Sequence, residues 1–491
     1  MENHMVTCKK RIGMPLNWSR EAGKDEIRIS IDSVYLYFVM GIVQPSASGR
    51  RLFACKKQGG ICVIVIKNGR VVDPQNGVDK ITDILVIDGK IGMIAPQIHV
   101  EHAKIIDATG KVVVPGFVDI HVHLREPGFE HKESIRTGTM SAAMGGFTTI
   151  ACMPNTKPAV HSKEIVHYIL DKAEKEGIVN VLPIGSITTN LDGSTLTNVK
   201  ELVQSGVVAI SDDGKTPMDT GIMEKAFEEA SKNQIPLIDH CEDHDLAKGG
   251  SVNEGKASER TGIKGIPNAA EWRIVARDIA LAEKYGTHLH IAHISTKESV
   301  ALVRKAKEKG LKITCEAAPH HFALTDDVVT RQDTYTKVNP PLRSQDDVDA
   351  VRLGLKDRTI DIIATDHAPH DEDSKRVAYE EASFGISGLE TAFAISYTEL
   401  VETGILSFSQ LVDKMSYLPS KIIGIDRGAL TVGKVADLVV LDLNQEENID
   451  ASKFVSMGKN TPFHGKRVKG KVLYTLVDGN VVMEKGVVLC S

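Results

Sequence analysis

The sequence predicts an α/β fold: a (β/α)8 barrel of the TIM type joined to a small β-sandwich assembled from both ends of the chain. Three observations lead there. Eight short apolar runs alternate with amphipathic stretches across residues 114–424, the pattern of a parallel barrel wrapped by its own helices. Nearly every run ends in ionisable residues, and such barrels carry their chemistry at the C-terminal ends of the strands. Strand–turn–strand patterns rich in β-branched residues flank this region on both sides.

Residues 1–61 come first and differ from the rest. They show little periodicity, scatter aromatics among Lys and Arg, and place Ser46-Ala47-Ser48-Gly49 before Arg50-Arg51. They read as an extension outside the fold, either a disordered tail or an upstream read-through. Its apolar run Val34–Val43 falls short of the about 20 residues a bilayer requires. Glu21, Asp25 and Glu26 precede that run, which argues against a secretory leader.

Residues 62–113 then alternate as CVIVIKNGRVV, a turn over Pro74–Gly77, and DILVIDGKIGMI. Asn68-Gly69 and Asp88-Gly89 are dipeptides of tight hairpin turns. The segment 425–491 repeats the pattern in ADLVVLDL (436–443) and KVLYTLVDGNVVMEKGVVL (471–489), with a turn at Asp478-Gly479. These two segments are assigned to one composite sandwich. The barrel runs between them are FVDIHVHL, TTIACMPN, VNVLPIGS, VVAISDDG, PLIDHCED, HLHIAHIS, KITCEAAPHH and DIIATDHAPH. Two of the intervening helices, over 162–177 and 297–310, stop at a glycine, as helix C-termini commonly do. The polar stretch Asp371–Ser383 reads as a mobile segment near the barrel mouth.

Composition narrows the function. The 491 residues are 42% hydrophobic and 25% charged with a net charge of -6, ordinary for a soluble globular protein. Without a sustained basic stretch there is no electrostatic footprint for nucleic acid, and no apolar run suits a membrane span. Cys8, Cys55, Cys62, Cys152, Cys241, Cys315 and Cys490 are odd in number and never spaced as CxxC. That pattern fits reduced thiols in a cytoplasmic protein rather than disulfides or a thiolate zinc site.

The strand ends hold the chemistry. His121 and His123 stand at i and i+2 on the first run, so both imidazoles can face one ion. Further strand ends supply Asp212-Asp213, His240, His293 and Asp366. Individually each has an ordinary explanation: a hydrogen-bonded core histidine, or an aspartate capping a helix. Jointly, four imidazoles and two carboxylates at one barrel mouth form the usual zinc donor set, and six side chains exceed what one tetrahedral zinc accepts. Two Zn2+ ions are therefore expected, with Asp213 or its neighbour Asp212 as the bridge; spacing alone does not choose. Such a pair activates water and polarises a carbonyl, leaving Asp366 to shuttle the proton.

The motifs PGFVDIHVHLREPG (115–128), GGFTTIACMPNTKP (145–158), ISDDG (210–214), HCED (240–243), AHIS (292–295), KVNPPLR (337–343) and ATDHAPH (364–370) resemble the amidohydrolase superfamily. Within it they resemble the bacterial dihydroorotases related to the multifunctional pyrimidine enzyme, over about Ile64 to Glu484. The resemblance implies reversible conversion of N-carbamoyl-L-aspartate to dihydroorotate in pyrimidine biosynthesis. It implies His121 and His123 on one zinc, His240 and His293 on the other, Asp213 as bridge and Asp366 as ligand and catalytic acid/base. It further implies substrate contacts by His123, Arg125, Asn155, Asn339, His370, Phe384 and Gly385, a homodimer, and association with aspartate transcarbamoylase. Arg125 suits the substrate carboxylate, because a guanidinium offers it two parallel donors; Glu126 and Glu133 are its competing partners. Dihydropyrimidinases and allantoinases bridge their metals with a carboxylated lysine at the fourth strand. Here that strand ends in Ser-Asp-Asp-Gly, with Lys215 two residues past Asp213, which counts against those enzymes. A non-catalytic partner of a transcarbamoylase is the other alternative, and the filled ligand positions count against it.

Overall fold

Parallel pairing runs around eight strand positions. Phe117–Val122 pairs with Phe147–Cys152, and that strand with Asn180–Pro183. Leu237–Asp239, Leu289–Ile291, Ile313–Ala317 and Ile362–Ile363 form the opposite arc. Ile210 bridges Gly185 on one side and Leu237 on the other, and Val122 bridges His367 to close the ring. This computed structural model describes residues 27–29 and 62–489. Every one of the eight expected runs supplies wall to the barrel. The fourth does so through the bridges of Ile210 on either side, and past it the Asp212 carboxylate also accepts the N–H groups of Ile187 and Thr188.

Side-chain direction in the wall follows the two-residue period of a strand. Outward residues such as Ile150, Leu237, Ile291 and Ile363 join one large apolar layer under the helices. Inward residues, including Val118, Ala151, Ile184, Ala209, Ile238 and Ala292, fill the interior. A register shift between Asp119 and Val122 re-aims the end of the first strand. Helices Lys163–Glu176 and Lys297–Glu308 occupy the expected stretches, the latter capped by the Thr296 side chain on the Ser299 N–H.

The flanking segments form one nine-stranded sheet that mixes both ends of the chain: Val112–Pro115 pairs with Leu438–Asn448 on one side and Val63–Asp73 on the other. The sheet folds back so that Lys90 bridges Val435, enclosing Ile64, Ile66, Ile84, Val86, Leu438, Val440 and Leu476. At the seam with the barrel, Phe117 stacks on Phe393 at 5.4 Å and meets Phe147 edge-on at 5.8 Å.

Three local expectations change. Asp88-Gly89 and Asp478-Gly479 do connect paired strands, but Asn68-Gly69 lies inside the single strand Val63–Asp73 as a register shift, not a hairpin turn. A Cβ on Gly69 would stand 2.6 Å from Val113 Cγ2, so the glycine serves close approach of a neighbouring strand. The stretch 371–383 is fastened rather than loose. Lys375 is buried, its ammonium donating to the carbonyls of Thr334, Lys337 and Ser383, while Lys337 donates to those of Tyr379 and Glu380. From the N-terminal extension, Ile27–Ile29 forms a strand parallel to Ile98–Val100. The rest of it, with the Val34–Val43 run, Cys8 and Cys55, lies outside the described residues, as does Cys490. No helix among the described residues is long and apolar enough to cross a membrane.

Candidate metal centre and active site

The six side chains singled out at the strand ends converge on one buried point. Asp213 occupies its middle: Oδ1 lies 3.4 Å from His121 Nε2, 3.7 Å from His240 Nδ1 and 3.9 Å from His293 Nε2, and Oδ2 lies 3.6 Å from His123 Nε2. Asp366 Oδ1 lies 3.1 Å from His123 Nε2 and 3.6 Å from His121 Nε2. His240 Nδ1 and His293 Nε2 are 2.8 Å apart. Asp212 points away, onto the backbone of Ile187 and Thr188, so of the two aspartates only Asp213 stands among the histidines.

The donor set fits divalent cations. His121 Nε2, Asp213 Oδ1 and His293 Nδ1 are buried without a hydrogen-bond partner, a costly arrangement unless something binds them. Two overlapping groups, His121–Asp213–His293 and His121–His123–Asp366, each bring their donor atoms close enough to hold a cation. Burial alone would raise both carboxyls, but the surrounding histidines outweigh it and hold Asp213 and Asp366 well below the usual carboxylate range. Both are therefore ionised, as a carboxylate donor to a cation would be. Backbone strain accompanies the cluster. His293 and Asp366 take φ values of 25° and 46°, and Arg125, two residues beyond His123, takes 63°, a region that non-glycine residues seldom occupy.

Neighbours orient the histidines. His121 Nδ1 meets Glu316 Oε1 at 2.5 Å. His123 Nδ1 meets Asn155 Oδ1 at 2.9 Å, and Asn155 Nδ2 donates to Asp213 Oδ2 at 3.2 Å. Asn339 Nδ2 lies 3.1 Å from His240 Nε2 and donates to Glu242 at 3.0 Å, leaving its buried Oδ1 without a partner. Both asparagines thus touch the cluster itself, a contact that the sequence reading did not include.

Beside the cluster is a cavity of about 190 Å³ lined by His123, Arg125, Asn155, Asn339, Asp366, Phe384 and Gly385, among others. It adjoins a recess of about 650 Å³ through Gly214, Asn339 and Phe384; Lys215 lines that recess and not the ligand cluster. Arg125 donates to the Pro369 carbonyl at 3.2 Å, and its Nη2 lies 3.2 Å from His370 Nε2. Its two competing partners are engaged elsewhere: Glu126 with the Ile135 N–H, Tyr168 and Lys172, and Glu133 with Thr137, Ser456 and His367. Lys132 adds a second cation, 3.3 Å from His370 Nδ1. The Gly385 N–H is already given to the Lys337 carbonyl and its carbonyl to Asn460, so Gly385 shapes the wall. At a φ of 142°, a Cβ there would lie 2.6 Å from the Ala368 carbonyl oxygen. Gly385→Ala is expected to destabilise the protein by about 1–3 kcal/mol and to weaken substrate binding; thermal melting and KM report the two effects.

The sequence reading passed over Glu316, Lys132 and Glu242. Glu316 was within reach of its own logic, since it lies near the C-terminal end of the seventh strand, as the candidate ligands do on theirs. Lys132 and Glu242 lie in loops, where position along the chain says little about direction.

Comparison with known proteins adds the context. A family profile described as Dihydro-orotase-like matches residues 110–299. The chain is 53% identical over 426 residues to a protein named Dihydroorotase from Acetivibrio thermocellus, covering 87% of this chain and 100% of that one. It is 51% identical over 422 residues to another so named from Caldanaerobacter subterraneus subsp. tengcongensis, covering 86% and 97%. Among solved structures it is similar to the L-hydantoinase (dihydropyrimidinase) from Arthrobacter aurescens, with a TM-score of 0.79, 30% identity and coverage of 87% of this chain and 97% of that one. A D-hydantoinase structure with a TM-score of 0.77 and 24% identity shares the fold.

Proposed function

Since the chain belongs to the dihydroorotase family, and so is a cyclic amidohydrolase of pyrimidine biosynthesis, we propose that it interconverts N-carbamoyl-L-aspartate and (S)-dihydroorotate at a pair of Zn2+ ions held by His121, His123, Asp213, His240, His293 and Asp366. The observation that carries this reading is Asp213, set among four imidazoles with one oxygen buried and unpartnered. When bound, the ions supply a water acidic enough to react near neutral pH and draw charge from the amide carbonyl.

The chain's own groups do the remainder. Asp366, ionised and in contact with His123, takes the proton of the incoming water and returns it to the leaving ring nitrogen; in ring closure the transfers reverse. Arg125 faces the substrate carboxylate with its unused donors, beside His370. The unpartnered Oδ1 of Asn339 accepts a ring N–H. Phe384 and Gly385 close the wall of the cavity.

The test is dihydroorotate hydrolysis followed by absorbance, before and after dialysis against a chelator. Activity is expected to vanish on metal removal and to return with Zn2+. A chelated protein that retains full activity overturns the metal reading. Hydrolysis of dihydrouracil or a hydantoin in preference to dihydroorotate overturns the substrate.

A further inference from the structure

The inner layer of the barrel is apolar at most strands but not at the sixth and seventh. On Ile313–Ala317, Cys315 and Ala317 belong to the outer apolar layer, so Thr314 and Glu316 face inward. On Leu289–Ile291 the flanking residues point outward and His290 faces inward. Glu316, His290 and His121 are each at most 1% exposed. Ionisable groups this deep are tolerated only when each is partnered.

Here each is partnered, and one arrangement of protons satisfies all of them. Glu316 Oε1 accepts from His121 Nδ1 at 2.5 Å and from the His293 N–H at 3.2 Å, and Oε2 accepts from His290 Nε2 at 3.1 Å. His290 Nδ1 then accepts from the Thr314 hydroxyl at 2.9 Å, which itself accepts from His288 Nε2 at 2.9 Å. An ionised carboxylate only accepts, so His121 carries its proton on Nδ1. Its Nε2 lone pair is thereby turned toward Asp213 and Asp366, and that is the nitrogen without a hydrogen-bond partner. The same carboxylate holds the backbone of His293 at its strained φ of 25°. His123, by contrast, leans on the neutral amide of Asn155.

We propose that Glu316 is the positioning residue of the metal centre. It fixes the tautomer and ring of His121 and the backbone under His293, and His290 and Thr314 hold it in place. One carboxylate thus aligns ligands from the first and sixth strands before any ion arrives. The inference rests on the reading of those histidines as ligands of divalent metal.

The experiment titrates the apo-protein with Zn2+ against a competing chelator, for the wild type and Glu316→Gln, and records the visible spectrum of the Co2+-loaded forms. Glu316→Gln is expected to bind the tighter ion about 10- to 100-fold more weakly, with a shifted Co2+ band, and to recover turnover at saturating Zn2+. Thr314→Val, nearly isosteric and remote from the ions, serves if Glu316→Gln does not fold, and is expected to lose about 2- to 10-fold in affinity. Wild-type affinity and an unchanged Co2+ spectrum in the folded variant overturn the proposal. Failure of the wild type to take up metal overturns instead the reading beneath it.

Discussion

Asp366→Asn retains the metal centre and lowers kcat by about 10³- to 10⁴-fold. Asparagine keeps the ligating oxygen and the shape of the side chain, and it tolerates the left-handed backbone, φ 46°, that residue 366 adopts. What it lacks is a site for the travelling proton. On the proposed mechanism the native carboxyl accepts that proton: burial would raise its pKa, yet the histidines around it hold it below the usual carboxylate range. The substitution leaves the overall equilibrium untouched, so kcat/KM for hydrolysis and for ring closure must fall by the same factor. Rates in both directions, with metal content per subunit, check the prediction. Normal turnover removes Asp366 from the mechanism, and loss of metal shows that the residue is needed as a ligand first.

Much of this centre was legible because a barrel converts a one-dimensional pattern into a place. His121, His240, His293 and Asp366 are far apart in sequence, but each ends an apolar run, and closing the ring brings strand ends together. The choice between Asp212 and Asp213 was not legible: adjacent residues on a strand point opposite ways, and which way depends on the N–H groups of Ile187 and Thr188, which capture Asp212. Asn68-Gly69 has the chemistry of a turn, and only the presence of Val113 against Gly69 reveals a strand passing straight through. The stretch 371–383 has the composition of a mobile loop, yet Lys375 and Lys337 pin it through backbone carbonyls contributed by other segments. In these cases the deciding partner is remote in sequence, and composition carries no record of it.

Arg125→Met is expected to lower kcat/KM for dihydroorotate by about 10²- to 10³-fold, most of it in KM, the loss that follows when one partner of a desolvated charge pair is removed. On the proposed reading the guanidinium pairs with an anion that the substrate brings. Among the described residues no carboxylate pairs with it; its contacts are the Pro369 carbonyl and the His370 ring. Burial draws its pKa down to about 10, and the acids Asp366 and Asp213 nearby oppose that fall, so it stays charged at neutral pH with donors to spare. Arg125→Lys is expected to restore little, since a single ammonium cannot reproduce two parallel N–H bonds to a carboxylate. Dihydrouracil, which has the ring but no carboxylate, supplies the control: its slow hydrolysis should be the same in the wild type and in Arg125→Met. If KM for dihydroorotate does not change, the arginine is not reading a carboxylate, and the cavity is built for an uncharged cyclic amide of the hydantoin kind.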